Sequence, residues 1–553
     1  MKIPKNDDER ELFYMDLVRK CLVSRENRKS DYQSLRSWYL FGCNPEEAAA
    51  QYNKINPHID QLTSFLYSAE TTRFAINLGA GVHPQEQRKV PILTRYLNDE
   101  WLESNADMVF SNATTWALVY GSTFIKHVVA KGGKLINIFM VDPGSFGVLR
   151  EDLPTLHAQE AFVHCYYITK TELYNRLYEH PKRESIVKRI SSQEHVVTDV
   201  PSAIDRIVMS AVNPTIYGNV NLNLSGTNRM KAEVGEDTVE MRELYVWNDD
   251  EEDYQIVTMA DPDIYIYDRA LGGGKEKPRD GIFLKGINPF TQIMPTPQYD
   301  YFWGASEVQK LVPLQTMRNN RISEILDLLS KQVQPPTFLS GFTGILDEKD
   351  FALNRAGGLL ANDMPGSKAE KLAPEIPPDL FKEIEQIDKM FAEASGISSI
   401  LSGQGEQGVR SAGHASQLAR LGASRAKKRA IVIQDSLEAV ATTYLKALQV
   451  YDNAHLSDVD GHKFIVEQFT KDFAVKVDAH SNSPIFMEDA RSLAFNLFKA
   501  GAIDKESLLD LLEPPMKQLL KDRLKLMEQK QAMQPQQPDK KSGKPDLKAV
   551  GGE

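Results

Sequence analysis

Residues 402–413 read SGQGEQGVRSAG, and Gly403, Gly405 and Gly408 within them spell G-x-G-x-x-G. Read as a dinucleotide fingerprint, this stretch would make the chain a doubly wound α/β protein. That fingerprint works only between a strand and a helix of a βαβ unit, with an acidic residue about twenty positions further on. Here the preceding segment, ending near Ala394, has helical periodicity; position 428 is Lys, and the next acid is Asp435. A P-loop fails as well: Gly403 and Gly408 suit its spacing, but Val409 stands where the phosphate-binding lysine belongs. The glycines therefore read as a bend between two helices. The fold class that grows outward from them is α+β and helix-rich.

The helix after the bend spans about 411–453, roughly 60 Å at the usual rise. Ala412, Ser416, Ala419, Ala423, Ala426 and Ala430 stripe its first half, and Ile433, Leu437, Val440, Tyr444 and Leu448 its second. Small residues let a backbone approach closely, and a long apolar stripe wants a partner helix. Before the bend, Pro377-Pro378-Asp379 opens a helix with Leu380, Ile384, Ile387, Phe391 and Ala394 on one face. Its acids (Asp379, Glu383, Glu385, Asp388, Glu393) outnumber its bases, Lys382 and Lys389.

Further upstream, GASEVQKLVPLQTMRNNRISEILDLLSK predicts a helix that Ser306 and Gln309 can cap. Gln315 and Asn319 interrupt its apolar face, and Pro313 must kink it or mark its first turn. Between these two helices, 333–376 holds four prolines and the run GGLLA, which predicts a small β-containing insertion. The N-terminal part is mixed. Helical spacing covers Asp7 to about Arg28, Glu46–Ser68 (stripe Ile55, Ile59, Leu62, Leu66) and Gln85 to about Tyr120. GSTFIKHVVA and LINIFMVDP predict a strand pair with KGGK as the turn, and 169–180 a short helix. Residues 213–235 have no helical period; strands resume at Met241–Trp247, Tyr254–Met259, Ile264–Tyr267 and Gly281–Ile287. Alternation returns at Phe464–Phe469 and Phe473–Val477, followed by helix over 484–530 broken at Gly501 and Pro514-Pro515. The tail, 531–553, has too little apolar content to fold and is expected to be disordered.

At 553 residues the chain is long enough for several domain-sized units, and its 42% hydrophobic, 25% charged composition is that of a globular protein. No apolar run reaches eighteen residues, so no membrane span is expected, and MKIPKNDDERELF has no signal-peptide core. Cys21, Cys43 and Cys165 show no metal spacing and suggest reduced thiols. A net charge of −11 argues against a surface that grips nucleic acid everywhere.

Enzyme constellations are missing: there is no HExxH, no GxSxG and no cysteine paired with a nearby histidine. His455 and His462 flank Asp458 and Asp460, which reads as a solvated turn before it reads as a metal site. NDDEED (248–253) lacks EF-hand spacing and reads as a hairpin tip. No catalytic residue, metal or cofactor is expected. One basic cluster stands out: Arg410, Arg420, Arg425, Lys427, Lys428 and Arg429, with no acid from Val409 to Ala430. Such cations could contact DNA phosphates without sequence preference. Solvated helix surface or ion pairs with a neighbouring subunit are the other readings.

The order of parts (PQYDYFWGAS, a helix with LQTMRNN, a proline-rich insertion, an acidic helix, a glycine bend, a very long helix) resembles the portal proteins of tailed bacteriophages, the head-to-tail connectors. NKINPHIDQLTSFL, WALVYGSTFIKHVV and FMVDPGSFGVLRED agree, so the resemblance covers about Asp7–Ala500, without any single diagnostic motif. It implies a multi-domain subunit of wing, stem, clip and crown that assembles as a ring, usually a dodecamer, at one capsid vertex of the virion. On that scheme 1–305 is the wing, 306–332 and 377–394 the stem helices, and 333–376 the clip. Residues 395–411 are the tunnel loop, 412–483 the long helix and return strands, and 484–530 the crown. Ser402, Gly403, Gln404, Gly405, Glu406, Gln407, Gly408 and Arg410 would face double-stranded DNA. Lys382, Glu383, Glu385, Asp388, Lys389 and Glu393 would line the channel, where net acid repels phosphate. Arg420, Arg425, Lys427, Lys428 and Arg429 would touch DNA or the next subunit. Implied partners are the terminase large subunit, head-completion or tail adaptor proteins, and capsid and scaffolding protein, with assembly in the host cytoplasm. A terminase-like packaging enzyme, or another capsid or tail structural protein, is the alternative.

Overall fold

Helix α1 (Asp7–Phe41) begins where Asn6 accepts a hydrogen bond from the Asp8 N–H, with Asp7, Asp8 and Glu9 in the first turn favouring the positive end of the helix. It ends at Gly42, a left-handed residue that donates to the Trp38 carbonyl. The helix is thirteen residues longer than its apolar spacing predicts, because Arg28, Tyr32, Arg36 and Ser37 are buried polar positions that break the pattern but not the helix.

The computed structural model describes residues 1–44, 52–67, 72–79, 81–129, 136–178, 180, 182–191, 238–260, 264–270, 286–333, 335, 337–340, 359–362, 368–371, 375–395, 424–451, 454–458, 461–470, 472–477, 494–512, 520 and 523–524. They fall into two units, Met1–Pro484 and Ile485–Glu553. In the first, α1 is followed by α2 (Ile55–Leu66), β1 (Phe74–Leu78), α3 (Pro84–Gln87), α4 (Val90–Glu103), α5 (Ala106–Tyr120), β2 (Thr123–Val129) and β3 (Ile136–Val141). Then come β4 (Phe146–Val148), β5 (Ala161–Thr169), α6 (Lys170–Arg176), α7 (Arg183–Ser191), β6 (Thr238–Asn248), β7 (Asp253–Ala260), β8 (Ile264–Ala270) and β9 (Phe290–Ile293). The second half adds α8 (Glu307–Val333), β10 (Thr337–Ser340), β11 (Leu359–Asn362), β12 (Lys368–Lys371), α9 (Asp379–Ser395), α10 (Ser424–Tyr451), β13 (His455–Ser457), β14 (Lys463–Ile465) and β15 (Phe473–Val477). Helix and sheet are mixed, as α+β requires.

Two sheets build the centre of the first unit. Strands β4-β5-β6-β7-β8 form an antiparallel meander, and β3-β2-β9 a smaller sheet. One face of the meander packs Ala161, Val163, Cys165, Leu244, Val246, Val257 and Met259 against Tyr14, Leu17, Val18 and Cys21 of α1. Contact there is close enough to require glycine: a Cβ on Gly147 would lie 2.4 Å from the Cys21 carbonyl oxygen. The other face is aromatic, with Phe146, Phe162 and Tyr245 around Phe290 and with Phe124 of the smaller sheet stacked on Phe146 at 4.1 Å. Cys21 and Cys165 belong to this core, Cys43 is buried as well, and none of the three forms a disulfide.

The α2 stripe (Ile55, Ile59, Leu62, Leu66) is fully buried, as its spacing predicts. So is the part of the long-helix stripe that α10 contains: Ala426, Ala430, Ile433, Leu437, Val440, Tyr444 and Leu448. Their partners are α2, β2, β9 and β15 of the same chain, so this length of helix finds its core at home. Residues 411–423 lie outside the described residues. Two expectations are corrected. The Gln85–Tyr120 helix is three helices, with one interruption at Asn105, whose φ of 52° asparagine tolerates. The strand predicted at Gly281–Ile287 falls mostly outside the described residues, which resume at Gly286 ahead of β9. Phe464–Phe469 is a short strand running into a 3₁₀ turn. The 248–253 tip is a hairpin closed by the Asn248–Asp253 pair, as predicted. The 213–235 stretch and the tail lie outside the described residues.

In the second unit, residues 494–499 are helical and α11 (Lys505–Leu512) follows. Between them Gly501 adopts φ 72°, donates to the Phe498 carbonyl and ends the first helix where the sequence predicts a break.

Buried histidines make the first unit acid-sensitive. His127 bridges the carbonyl oxygens of Pro289 and Val440, each 3.2 Å from a ring nitrogen, and burial lowers its pKa to about 4. Burial, with Lys126 adjacent, lowers that of His164 to about 4 as well. Burial alone would raise the Glu240 carboxyl, but Arg25 and Arg242 outweigh it and hold it at about 2. Below about pH 6.5 the unfolded chain takes up protons that the folded histidines refuse, so stability falls as pH drops from 6.5 to 4. Glu240 adds a further loss below about 4.5, as pH falls towards 2. Urea unfolding at pH 7.5, 6 and 5 is expected to show a steady decline, of about 3 kcal/mol per fully buried histidine by pH 4. A flat profile above pH 5 would refute it.

Candidate functional site

Helices α8 and α9 form an antiparallel pair, and the chain between them carries a three-stranded sheet of order β11-β10-β12. This is the β-containing insertion between helices that the prolines and the apolar run predict. Strand β10 pairs parallel with β11 and antiparallel with β12. Ser306 starts α8 by accepting from the Gln309 N–H at 3.1 Å, and its own hydroxyl donates to the Val119 carbonyl. Pro313 lies inside the helix on its exposed side, so it does not mark the first turn.

Among the described residues, the pair is rooted in the rest of the unit at one end. Up to Arg318, α8 is buried at Val308, Leu311 and Gln315; beyond it, Ile325 alone is buried among the described α8 residues. On α9, Ile387 and Phe391 are buried. The interruption at Gln315 and Asn319 is a polar root. Gln315 accepts from the Lys54 N–H and donates to the Tyr52 carbonyl and to Asn319, which donates to the Gly42 carbonyl at 2.7 Å. Apolar side chains remain exposed along the pair: Leu326, Leu329 and Val333 on α8, Phe381 and Met390 on α9.

The α9 charges divide. Asp388 does not stand open: its carboxylate is held by Arg318 Nε at 3.1 Å and Lys54 Nζ at 3.0 Å. Glu383 pairs with Arg321 at 3.0 Å, and Lys382 with Asp379 at 2.9 Å. Glu385, Lys389 and Glu393 are exposed. Within the basic cluster, Lys427 and Lys428 are exposed on α10, and Arg425 lies in its first turn. Arg429 is turned inward, its guanidinium 2.9 Å from Glu307, with the two side chains 11% and 5% exposed. That ionic partner belongs to its own chain. Ser402–Gly408, Arg410 and Arg420 lie outside the described residues.

Sequence reading missed Lys54, Glu307 and Arg318, whose partners are distant in the chain; the break at Gln315 and Asn319 was the available signal. At the other candidate, Asp458 accepts from the His462 N–H at 2.7 Å and caps a hairpin turn. Among the described residues no group of three or more histidines, cysteines or acids could hold a metal, and no helix is long and apolar enough to cross a membrane.

No protein-family model and no curated protein matches the sequence. Solved structures do. A chain in the virion of a native gene transfer agent particle is 11% identical with a TM-score of 0.40, over 88% of this chain and 94% of that one. A chain from the neck of the empty particle, computed with C6 symmetry, gives 12% and 0.39 over 88% and 94%. One from the neck of the native particle, computed with C12 symmetry, gives 10% and 0.35 over 83% and 91%. At these values the likeness is one of chain trace, and the functional assignment is built on the residues of this chain.

Proposed function

We propose that the chain is a portal-type subunit: a non-enzymatic protein that closes into a ring, usually of twelve, around a channel for double-stranded DNA at one capsid vertex. Genome packaging, retention and ejection would pass through it. In this reading α8 and α9 are the stem, the β10–β12 sheet is the clip that meets the terminase large subunit and later the head-completion or tail adaptor proteins, and 395–411 is the tunnel loop. The observation that carries the proposal is the rooted helix pair, with apolar side chains left exposed along both helices. Phe381 and Met390 are nine residues apart, half a turn opposed, so they point to opposite sides of α9. A subunit that needs a different neighbour on each flank makes head-to-tail contacts, and these close into rings.

Ion pairs within the chain refine the electrostatics of the proposal. Asp388 and Glu383 are matched by bases of the same chain and Lys382 by Asp379, so α9 presents less net acid than its sequence suggests. Such a wall repels phosphate weakly and lets DNA slide, and Lys427 and Lys428 of the cluster are exposed on α10. Negative-stain microscopy and native mass spectrometry of the purified protein test the reading. Rings with a central hole are expected, and a symmetric population of one copy number. Monomers at micromolar concentration that stay single with scaffolding and capsid protein present would overturn it.

A further inference from the structure

Two positions on the buried face of α8 carry opposite charge and serve different helices. Glu307 accepts from Arg429 Nη2, Lys310 Nζ and Thr296 Oγ1, each at 2.9 Å. Arg318 donates to Asp388 Oδ1 at 3.1 Å and to the Tyr52 carbonyl at 3.2 Å, with its guanidinium 4.8 Å from the centre of the Tyr52 ring. Both side chains are more than nine-tenths buried. They are eleven residues apart, which puts them within about 20° on the helix and about 16 Å along its axis. The acid receives α10 and the base receives α9.

We infer that Glu307 and Arg318 are charge keys, and that Asp388 and Arg429 are positioning residues that fix α9 and α10 separately on α8. The two ends of the 396–423 connection are thereby set against one frame. Apolar packing alone leaves the placement of α9 open. Leu380, Ile384, Ile387 and Phe391 repeat at three and four residues, so a slide of one turn would present a similar stripe to α8. The same slide would carry Asp388 about 6 Å from Arg318 and Lys54. Exchanging the two helices would set Asp388 against Glu307 and Arg429 against Arg318, leaving like charges buried together. Buried pairs often add little net stability over apolar isosteres, and specifying register is their best-attested use. The inference concerns the subunit and holds whether or not the ring forms.

Hydrogen exchange of the full chain, read by peptide mass spectrometry, separates a key from ordinary packing. Asp388→Asn keeps shape and removes charge. It is expected to speed exchange across Asp379–Ser395 by about tenfold while the first turns of α10 stay within about twofold. Arg429→Met should do the reverse, speeding α10 from Ala430 onward and sparing α9. If Arg429→Met fails to fold, Asp388→Asn still decides. An α9 that exchanges within twofold of the parent would show that apolar packing sets its register. Equal loosening of α9 and α10 would show one cooperative unit in place of two keys. Either result overturns the inference.

Discussion

Replacing Trp303 with alanine is expected to cost about 5 kcal/mol, from about a third to all of the margin by which a domain stays folded. The indole is 1% exposed and lies 3.3 Å from the Arg28 guanidinium, edge-on to Phe302 at 4.8 Å and Tyr32 at 6.4 Å. Its Nε1–H donates to Glu151 at 2.9 Å, and Glu151 also receives Arg28 and, at 2.6 Å, Ser24. The deletion therefore opens a cavity among α1, α5 and the smaller sheet, removes the nearer of two aromatic rings from Arg28 and takes one donor from a shared carboxylate. Gly121 closes the same junction: at φ 95°, a Cβ there would meet the Trp303 carbonyl at 2.8 Å, so the surrounding backbone has little freedom to collapse into the space. Trp303→Phe keeps most of the volume and should cost about 2 kcal/mol. Urea unfolding measures both. A loss below about 2 kcal/mol for the alanine variant would mean that the segment between β9 and α8 is held by its backbone alone.

The sequence marks Trp303 only as one of several aromatics in PQYDYFWGAS. Phe302 and Trp303 are buried, whereas Tyr299 in the same run is 95% exposed, and nothing in the composition of the run separates them. Elements whose partners are near in the chain were legible. The β2–β3 and β6–β7 pairs, the α2 stripe and the helical stop at Gly501 follow from period and turn chemistry, which act over a few residues. Long-range pairing was not. Strand β1 pairs with β15, Phe74 opposite Val477, and neither strand carries a mark of the other. Charge was the least legible feature. A run such as AKKRA looks the same in sequence whether its arginine faces solvent or, like Arg429, a buried carboxylate more than a hundred residues away. In the sequence Asp388 is one acid among five in a helical segment. Its pairing with Arg318 and Lys54 depends on where the α1–α2 connection passes, which no local pattern states.

Placing glutamate at Leu329 and Phe381 together is expected to abolish self-association while leaving the subunit folded. These side chains are 38% and 50% exposed, beyond the polar root at Gln315–Asn319. Surface substitutions of this kind change subunit stability by about 0.5 kcal/mol or less, so circular dichroism and the unfolding midpoint should stay put. Association is another matter. Burying a leucine or phenylalanine between subunits contributes about 1.5–3 kcal/mol, and a glutamate in its place must be desolvated without a partner. Two such sites per subunit should weaken each contact by at least about a thousandfold, which a ring repeats at every interface. Light scattering after size exclusion reads the result directly. Parent assemblies beside variant monomers would locate the interface on the α8–α9 pair. Assembly that survives both glutamates would place the contacts elsewhere, and with them the wall of any channel. A variant that is monomeric but unfolded would be recognised by its lost circular dichroism, and the single Phe381→Glu, at the more exposed of the two positions, then carries the test.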